Sequence, residues 1–325
     1  MLYDVIVGGG TAAGLTASLY TASQSLKTLL ITKDIGGQML LTNEIQNYPG
    51  FASIGGFELA NKFKEQAELY GVDFVYEEVT GVEEDPSCPD LCFRVRTTAG
   101  EYNATTVILA FGKTPKDLGV PGEERLKGKG VSYCAVCDGH LFKGKTVAVV
   151  GSGDQALEAA NYLANVVSKT YLIHNYDKPI GSEDLVEQVL KLPNVNAMAN
   201  SKVMELKGGA RLEKIVLLTN DSQIREMQAD GIFIEIGYLA KTEFLKDILM
   251  LNSKNEIVVD RDGNTSHPGI FAAGDVTNVT YKQAVISAAQ GSIAALTAYN
   301  YIQRLRGKTA ARTDWRSITP VTKRG

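Results

Sequence analysis

Two stretches of the chain repeat one local design, and together they restrict its fold more than any other feature. Lys145-Thr146-Val147-Ala148-Val149-Val150 reads as a buried strand, Gly151-Ser152-Gly153-Asp154-Gln155-Ala156 as a glycine turn, and Leu157 to Val166 as a helix. Near the N-terminus, Tyr3 to Val7 is a short apolar strand, Gly8-Gly9-Gly10-Thr11-Ala12-Ala13-Gly14 a glycine-rich turn, and Leu15 to Ser25 a helical stretch. Strand, glycine turn and helix N-terminus in that order build a dinucleotide phosphate site. Glycine lets the backbone approach a pyrophosphate, and the free helix N–H groups receive its charge. The two openings stand about 140 residues apart, a domain-sized interval. The chain is therefore read as α/β, with two Rossmann-like dinucleotide-binding domains in its 325 residues. The second turn is a G-x-G-x-x-A pattern. The first fits two registers, either Gly8, Gly10 and Ala13 or Gly9, Thr11 and Gly14, and the residues alone leave both open.

Between the two openings lies Ser132-Tyr133-Cys134-Ala135-Val136-Cys137-Asp138-Gly139. A Cys-x-x-Cys pair can close a small disulfide ring and reopen it by thiol exchange, and the spacing lowers one thiol's pKa so that a reactive thiolate forms. Asp138 can move a proton to or from the leaving sulfur. The alternative, half of a zinc site, needs a second Cys/His pair at ligand spacing. Only Cys88, Cys92 and the scattered His140, His174 and His267 remain, so no metal is expected. Cys88 and Cys92 flank a Pro- and Asp-rich turn and are read as an incidental pair on an exposed hairpin tip, with a regulatory thiol pair as the other reading. Two dinucleotide units plus a redox cysteine pair suggest two dinucleotides exchanging electrons, with the disulfide as terminal acceptor.

Other segments suit the same chemistry. Thr28 to Ile31 is a second strand, and Asp34 is the nearest candidate for a ribose-binding acid. Gly36-Gly37-Gln38 and Asn47-Tyr48-Pro49-Gly50 suit close backbone approach to a flat ligand, or are two surface turns. Gly56 to Tyr70 has helical apolar spacing, and Val107 to Gly112 and Ile257 to Asp260 read as strands. Gly269 to Val276 ends with Gly274-Asp275, the place for a carboxylate that binds a ribityl or ribose hydroxyl; a plain turn aspartate is the alternative. Lys282-Gln283-Ala284 opens a long helix to Leu305, and a basic tail from Arg306 carries Trp315.

Net charge is −4, which gives no reason to expect nucleic acid. No apolar run approaches the roughly 20 residues of a membrane span. The N-terminus enters a strand directly, without a basic and apolar leader. A cytoplasmic setting is expected, where a Cys-x-x-Cys is more often catalytic than structural.

From Tyr3 to about Leu305 the chain resembles the low-molecular-weight, FAD-dependent thioredoxin reductases. Its most specific piece is Cys134-Ala135-Val136-Cys137-Asp138-Gly139, similar to that family's Cys-Ala-x-Cys-Asp-Gly signature. The resemblance implies a discontinuous FAD domain, residues 1–115 and 243–305, an inserted NAD(P)-binding-like domain, residues 116–242, carrying the disulfide, and a tail, residues 306–325. It carries FAD contacts to Gly9, Gly10, Thr11, Ala12, Ala13, Gly14, Gly36, Gly37, Gln38, Asn47, Val79, Ala110, Gly112, Gly274, Asp275, Lys282, Gln283 and Ala284. It also implies that Cys137 faces the flavin, that Cys134 attacks the disulfide of thioredoxin or a thioredoxin-like protein, and that Asp138 handles the proton. Family members form homodimers and rotate one domain against the other.

The chain departs from that family at the electron donor. NADPH-using members carry His-Arg-Arg-Asp-x-x-Arg after the second glycine turn. Here His174 and Asp177 match, but the arginines fall on Asn175, Tyr176 and Ile180, leaving Lys178 as the only fixed cation of the stretch. Each charged hydrogen bond contributes about 1.5–3 kcal/mol, so NADPH affinity should drop by orders of magnitude. Gly151, Gly153, Asp154 and Gln155 are kept, which leaves open a relic of the fold, an NADH site or a site for a different nucleotide. The pattern is similar to the divergent, ferredoxin-type thioredoxin-reductase-like flavoproteins, in which a C-terminal aromatic sometimes stacks near the flavin; Trp315 is the candidate. An ordinary NAD(P)H-dependent reductase, a ferredoxin–NADP reductase-like flavoprotein and a non-enzymatic redox sensor are the competing functions. The cysteine pair argues against the second of these.

Overall fold

The computed structural model describes residues 1–41, 45–88, 91–219 and 222–308. The chain divides into two compact units, Met1–Thr114 with the chain from Ala240 onward, and Pro115–Leu239.

The first unit opens with β1 (Leu2–Gly10), α1 (Ala12–Ser23) and β2 (Thr28–Ile35), followed by α2 (Gly56–Leu69), β3 (Asp73–Val75), β4 (Val79–Glu84), β5 (Phe93–Thr97) and β6 (Glu101–Leu109). The chain crosses into the second unit at β7 (Thr114–Pro115). There it forms α3 (Glu123–Leu126), β8 (Val131–Ser132), α4 (Ala135–Asp138), β9 (Thr146–Val150), α5 (Asp154–Ala164), β10 (Lys169–Ile173), α6 (Glu183–Leu190) and β11 (Val195–Met198). A meander of β12 (Lys202–Lys207), β13 (Lys214–Leu218) and β14 (Ile224–Gln228) precedes β15 (Gly231–Ile234). The chain returns through β16 (Tyr238–Leu239), which pairs with β7, to β17 (Ile270–Ala272) and α7 (Ala284–Leu305).

In the first unit the sheet order is β3-β2-β1-β6-β5-β4, with β17 also on β6. Strands β3, β2, β1, β6 and β17 run parallel, and β4 and β5 are antiparallel additions. Alternation sends Val5, Val7 and Ile108 into one core and Ile6, Val107 and Leu109 into the other. Parallel strands covered on both faces read as near-continuous apolar runs for this reason. The second unit repeats the design with an all-parallel sheet, β11-β10-β9-β15-β8. Ala148, Val150, Ile232 and Ile234 face one core, and Val147, Val149 and Phe233 the other. Among the described residues no helix is long and apolar enough to cross a membrane.

Three expected boundaries shift. Helix α1 starts at Ala12, earlier than the residue pattern suggests, because Thr11 caps it: its hydroxyl accepts from the Gly14 N–H at 3.4 Å. It ends at Ser23 because Ser25 is left-handed, with φ 61°. Ile257 to Asp260 forms no strand. Ile257 makes only isolated bridges to Leu251 and Thr277, and Asp260 instead accepts the N–H groups of Asp262 and Asn264 and turns the chain.

Candidate functional site

Close packing in the first unit decides between the two registers of the N-terminal glycine turn. Gly9 has φ 113°, and a Cβ at Gly14 would stand 1.7 Å from the Gly9 carbonyl oxygen, so only glycine lets α1 lie against β1 there. Gly9, Thr11 and Gly14 thus hold the three places of the dinucleotide motif, the turn, the ligand approach and the helix–strand contact. Thr11 can replace the middle glycine because its hydroxyl is occupied, donating to the Ala110 carbonyl at 2.7 Å. Gly10 is constrained from the other side, by Thr32, whose hydroxyl accepts the Gly10 N–H at 2.8 Å.

Around this helix start the backbone is bare. Gly37 and Gly112 are left-handed, with φ of 52° and 68°, and a Cβ on either would face the Thr11 methyl at 3.1 and 3.5 Å. Gly36 has φ 112°. Asp34 accepts the Gly37 N–H at 3.2 Å. Gln38 lies on the following 3-10 turn, and its Nε2 donates to Asp275 Oδ2 at 3.3 Å, across 237 residues of sequence. Asp275 also accepts from Ser287 Oγ at 3.0 Å. Gly274 packs where a Cβ would stand 2.8 Å from that of Ala13. Ala12 lies in a small apolar cluster with Met39 and Ala288, and Val79 packs beside Gly8. Asn47 Nδ2 donates to Gln283 Oε1 at 3.0 Å, at the exposed start of α7 that Ala284 begins.

Beside Asp275 lies a cation pair that sequence reading only half found. Lys282 Nζ donates to the Asp275 and Thr277 carbonyls and lies 3.3 Å from Glu256 Oε1. Lys113 Nζ reaches the same oxygen at 2.7 Å. Nothing in the sequence around Glu256 signals this role.

This arrangement fits an FAD. The bare cradle of Gly9, Thr11, Gly37 and Gly112 at a helix N-terminus suits a pyrophosphate, and the Asp275 carboxylate with Gln38 suits a hydroxylated chain.

The second unit holds the sulfur chemistry. Cys134 and Cys137 form a disulfide. Cys134 caps α4, its Sγ accepting the Cys137 N–H at 3.0 Å, and is 9% exposed; Cys137 is half-buried. Ser132, at the end of β8, organises the loop. Its hydroxyl lies 2.6 Å from Asp138 Oδ2 and also accepts the Cys134 N–H at 3.1 Å. The Tyr133 hydroxyl lies 2.7 and 2.6 Å from carboxylate oxygens of Asp117 and Glu123, which share its one proton. Burial and these carboxylates push its phenol far above the ordinary range.

The second glycine turn is built like the first. Gly151 meets the Glu235 carbonyl where a Cβ would stand 2.1 Å away, Gly153 caps α5, and Ala156 packs below. What lies against it differs. After β10 the chain folds back, so that the Ile180 N–H donates to the Ser152 carbonyl at 2.6 Å and the Ser182 N–H to Asp154 Oδ1 at 2.8 Å. A Cβ on Gly181 would stand 2.4 Å from Leu157 Cδ1 and 2.6 Å from Asp154 Oδ1. Gln155 faces inward, donating to Glu235 and to the Tyr238 hydroxyl at 3.1 Å. His174 is buried, which lowers its imidazole below the usual value, while Asn175, Tyr176, Asp177, Lys178 and Ile180 are exposed.

The Cys88 and Cys92 reading is corrected. The two form a disulfide, and Cys92 is buried. The turn is anchored at its start by Asp85, while Pro86 and Ser87 are exposed and Pro89 and Asp90 lie outside the described residues. Buried Asp85 accepts from the Ser87 N–H and hydroxyl and from Arg94 and Asn103, and the Ser87 bonds, with Arg94, outweigh burial and hold its carboxyl below the usual range. Asp85, Cys88 and Cys92 are close enough to hold a metal, but both sulfurs are committed to the disulfide. Trp315 lies outside the described residues.

The chain matches the family model described as pyridine nucleotide-disulphide oxidoreductase over residues 3–291. It is 38% identical over 307 residues to the thioredoxin reductase of Treponema pallidum, covering 94% of this chain and 98% of that protein. Among solved structures, it is similar to the thioredoxin reductase of Lactococcus lactis, with TM-score 0.81 and 35% identity over 93% of this chain and 99% of that one. It is also similar to the ferredoxin-flavin thioredoxin reductase of Clostridium acetobutylicum, with TM-score 0.52 and 31% identity over 95% and 100%.

Proposed function

Because the chain belongs to the pyridine nucleotide-disulphide oxidoreductases, and within them to the thioredoxin reductases, we propose that it reduces thioredoxin or a thioredoxin-like protein with electrons from a donor other than NADPH. It is an oxidoreductase of disulfides. FAD, held by the Gly9–Gly14 turn and by Asp275 with Gln38, supplies a two-electron carrier able to reduce a disulfide. The chain's own residues do the rest. Reduction of Cys134–Cys137 takes two electrons and one proton to give a thiol and a thiolate, and a second proton completes the uptake. Asp138, held by Ser132, gives or takes the proton at the sulfur. Cys134 then attacks the partner's disulfide as thiolate, and Cys137 resolves the mixed disulfide, releasing the partner as a dithiol. Cys134 is the less exposed of the two in this structure, so this order requires it to be uncovered before the partner docks.

The observation that carries the donor reading is the fold-back of Ile180 to Ser182 over the second glycine turn. Their N–H groups bind the Ser152 carbonyl and Asp154, and no arginine stands at positions 175, 176 or 180. A 2′-phosphate finds no bidentate partner there. The similar solved ferredoxin-flavin enzyme supports a protein carrier such as ferredoxin as donor. An NADH-dependent reductase is the second reading, favoured by the retained geometry of Gly151, Gly153 and Ala156. A cytoplasmic homodimer is the setting this function implies.

The test is anaerobic mixing of the FAD-loaded protein with NADPH, NADH or reduced ferredoxin, with thioredoxin present, following flavin bleaching and thiol release. Ferredoxin is expected to bleach the flavin and NADPH at micromolar concentration to leave it oxidised. Stoichiometric bleaching by micromolar NADPH overturns the donor reading. A Cys134→Ser protein that still reduces thioredoxin overturns the disulfide route.

A further inference from the structure

One buried acid in the second unit has no part in the chemistry above. Strand β15 is wholly buried in the middle of a parallel sheet, and the next residue is Glu235, 6% exposed in the apolar run Ile232-Phe233-Ile234-Glu235-Ile236. A carboxylate there is costly unless it is hydrogen-bonded or neutral. Its partners are the Gln155 amide, at 2.5 Å, and the backbone N–H of Ala135, neither of them a cation. Ala135 follows Cys134 and begins the short helix that carries Cys137. The charged group facing it is Glu158, on α5, and beyond Gln155 stands the Tyr238 hydroxyl. The carboxyl thus bonds directly to the backbone between the two cysteines.

We propose that Glu235 is a positioning residue that binds a proton when the Cys134–Cys137 disulfide is reduced and releases it when the disulfide reforms. Two electrons from the enzyme's reductant break the S–S bond. With one proton taken up, the pair becomes a thiol and a thiolate. The new negative charge lies within one helical turn of the Ala135 N–H that Glu235 holds. It raises the carboxylate's proton affinity, and a second proton enters from solvent onto Glu235. Oxidation runs in reverse. Burial, with the Glu158 charge adding to it, outweighs the Gln155 and Ala135 bonds and pushes the carboxyl up to about 7, so the group can change state near neutral pH. Glu235 touches neither sulfur in this scheme; it acts through Ala135. The inference rests on the redox role proposed for the cysteine pair.

The experiment equilibrates the full-length, FAD-loaded protein with dithiothreitol redox buffers from pH 5.5 to 9 and counts the Cys134 and Cys137 thiols by alkylation and mass spectrometry. Wild type, Glu235→Gln and Gln155→Ala are compared, each checked for native circular dichroism. Wild type should show a bend in its pH dependence near neutrality that Glu235→Gln lacks. Above that bend Glu235→Gln should favour the dithiol by about tenfold, the order of effect of removing one nearby charge in a protein-like dielectric. Tenfold corresponds to about 30 mV for a two-electron couple. Gln155→Ala removes a bond that favours the charged form and should move the bend to higher pH. Parallel pH curves for all three proteins overturn the proposal. A pH bend with no thioredoxin turnover would instead sink the reductase reading and leave the coupling standing.

Discussion

Replacing Glu256 by glutamine tests whether one carboxylate ties together the elements around Asp275. Glu256 is buried and accepts from Lys113 at 2.7 Å, from Asn252 at 2.7 Å and from Lys282 at 3.3 Å. Burial alone would raise its pKa. The bonds from Lys113 and Asn252 and the Lys282 charge outweigh it and hold the carboxyl at about 2, against 4.5 for an ordinary glutamate. A folded-state pKa below the unfolded one gives stability that is complete above pH 4.5 and is lost as pH falls toward 2. At about 1.4 kcal/mol per pH unit, the carboxylate contributes about 3 kcal/mol at pH 7 and about half of that at pH 3. The same lysines bear on the proposed flavin site, because Lys282 Nζ also donates to the Asp275 carbonyl and the Lys113 carbonyl accepts from Gln38. Glu256→Gln should therefore lower the unfolding free energy by about 2–3 kcal/mol at pH 7 and weaken FAD retention. The assay is urea unfolding by far-ultraviolet circular dichroism at pH 7 and pH 3, with FAD release identifying the transition of the first unit. Equal stability at pH 7, or a deficit that does not shrink toward pH 3, would refute the reasoning.

Three further outcomes are expected. Ser132→Ala removes the hydroxyl 2.6 Å from Asp138, a charge-assisted bond of about 1.5–3 kcal/mol, and should slow thioredoxin reduction about tenfold or more and shift its pH profile; an unchanged profile would exclude the role. Gly14→Ala puts a Cβ 1.7 Å from the Gly9 carbonyl, so the protein should purify without FAD or fail to fold, whereas Ala13→Gly should retain the yellow cofactor, as absorbance spectra would show. Cys88→Ser with Cys92→Ser opens a disulfide of sequence separation 4 and should cost about 2 kcal/mol of stability while leaving thioredoxin turnover intact, measured by urea midpoint and rate.

Much of this protein is written locally. The apolar runs Val147 to Val150 and Val107 to Leu109, the glycines that follow strands, and the Cys134–Asp138 sequence are all set by residues within one turn or strand of each other. Backbone conformation and covalent spacing are local properties, so they are legible without a fold. The glycine turn shows the limit. Its register follows from Gly14 meeting Gly9 across the strand–helix contact, and from the Thr11 hydroxyl finding Ala110 on β6, 99 residues away. The Cys88–Cys92 pairing is not legible locally because the buried Asp85 before it draws on Asn103 from β6, beyond the adjacent β5. Nothing in the sequence around Glu256 signals its role, and Glu235 shows only as a lone acid in an apolar run.

The sequence alone determined that this chain has two dinucleotide-type units and a redox cysteine pair, because each is carried by adjacent residues. Only the tertiary structure decided what surrounds them. Parallel sheet order brings Gln38 to Asp275, 237 residues apart, and sets Glu235 against Ala135 of the cysteine helix, 100 residues earlier in the chain. Such partners are chosen by which strands lie side by side, and that choice belongs to the packed core, not to any short stretch of chain.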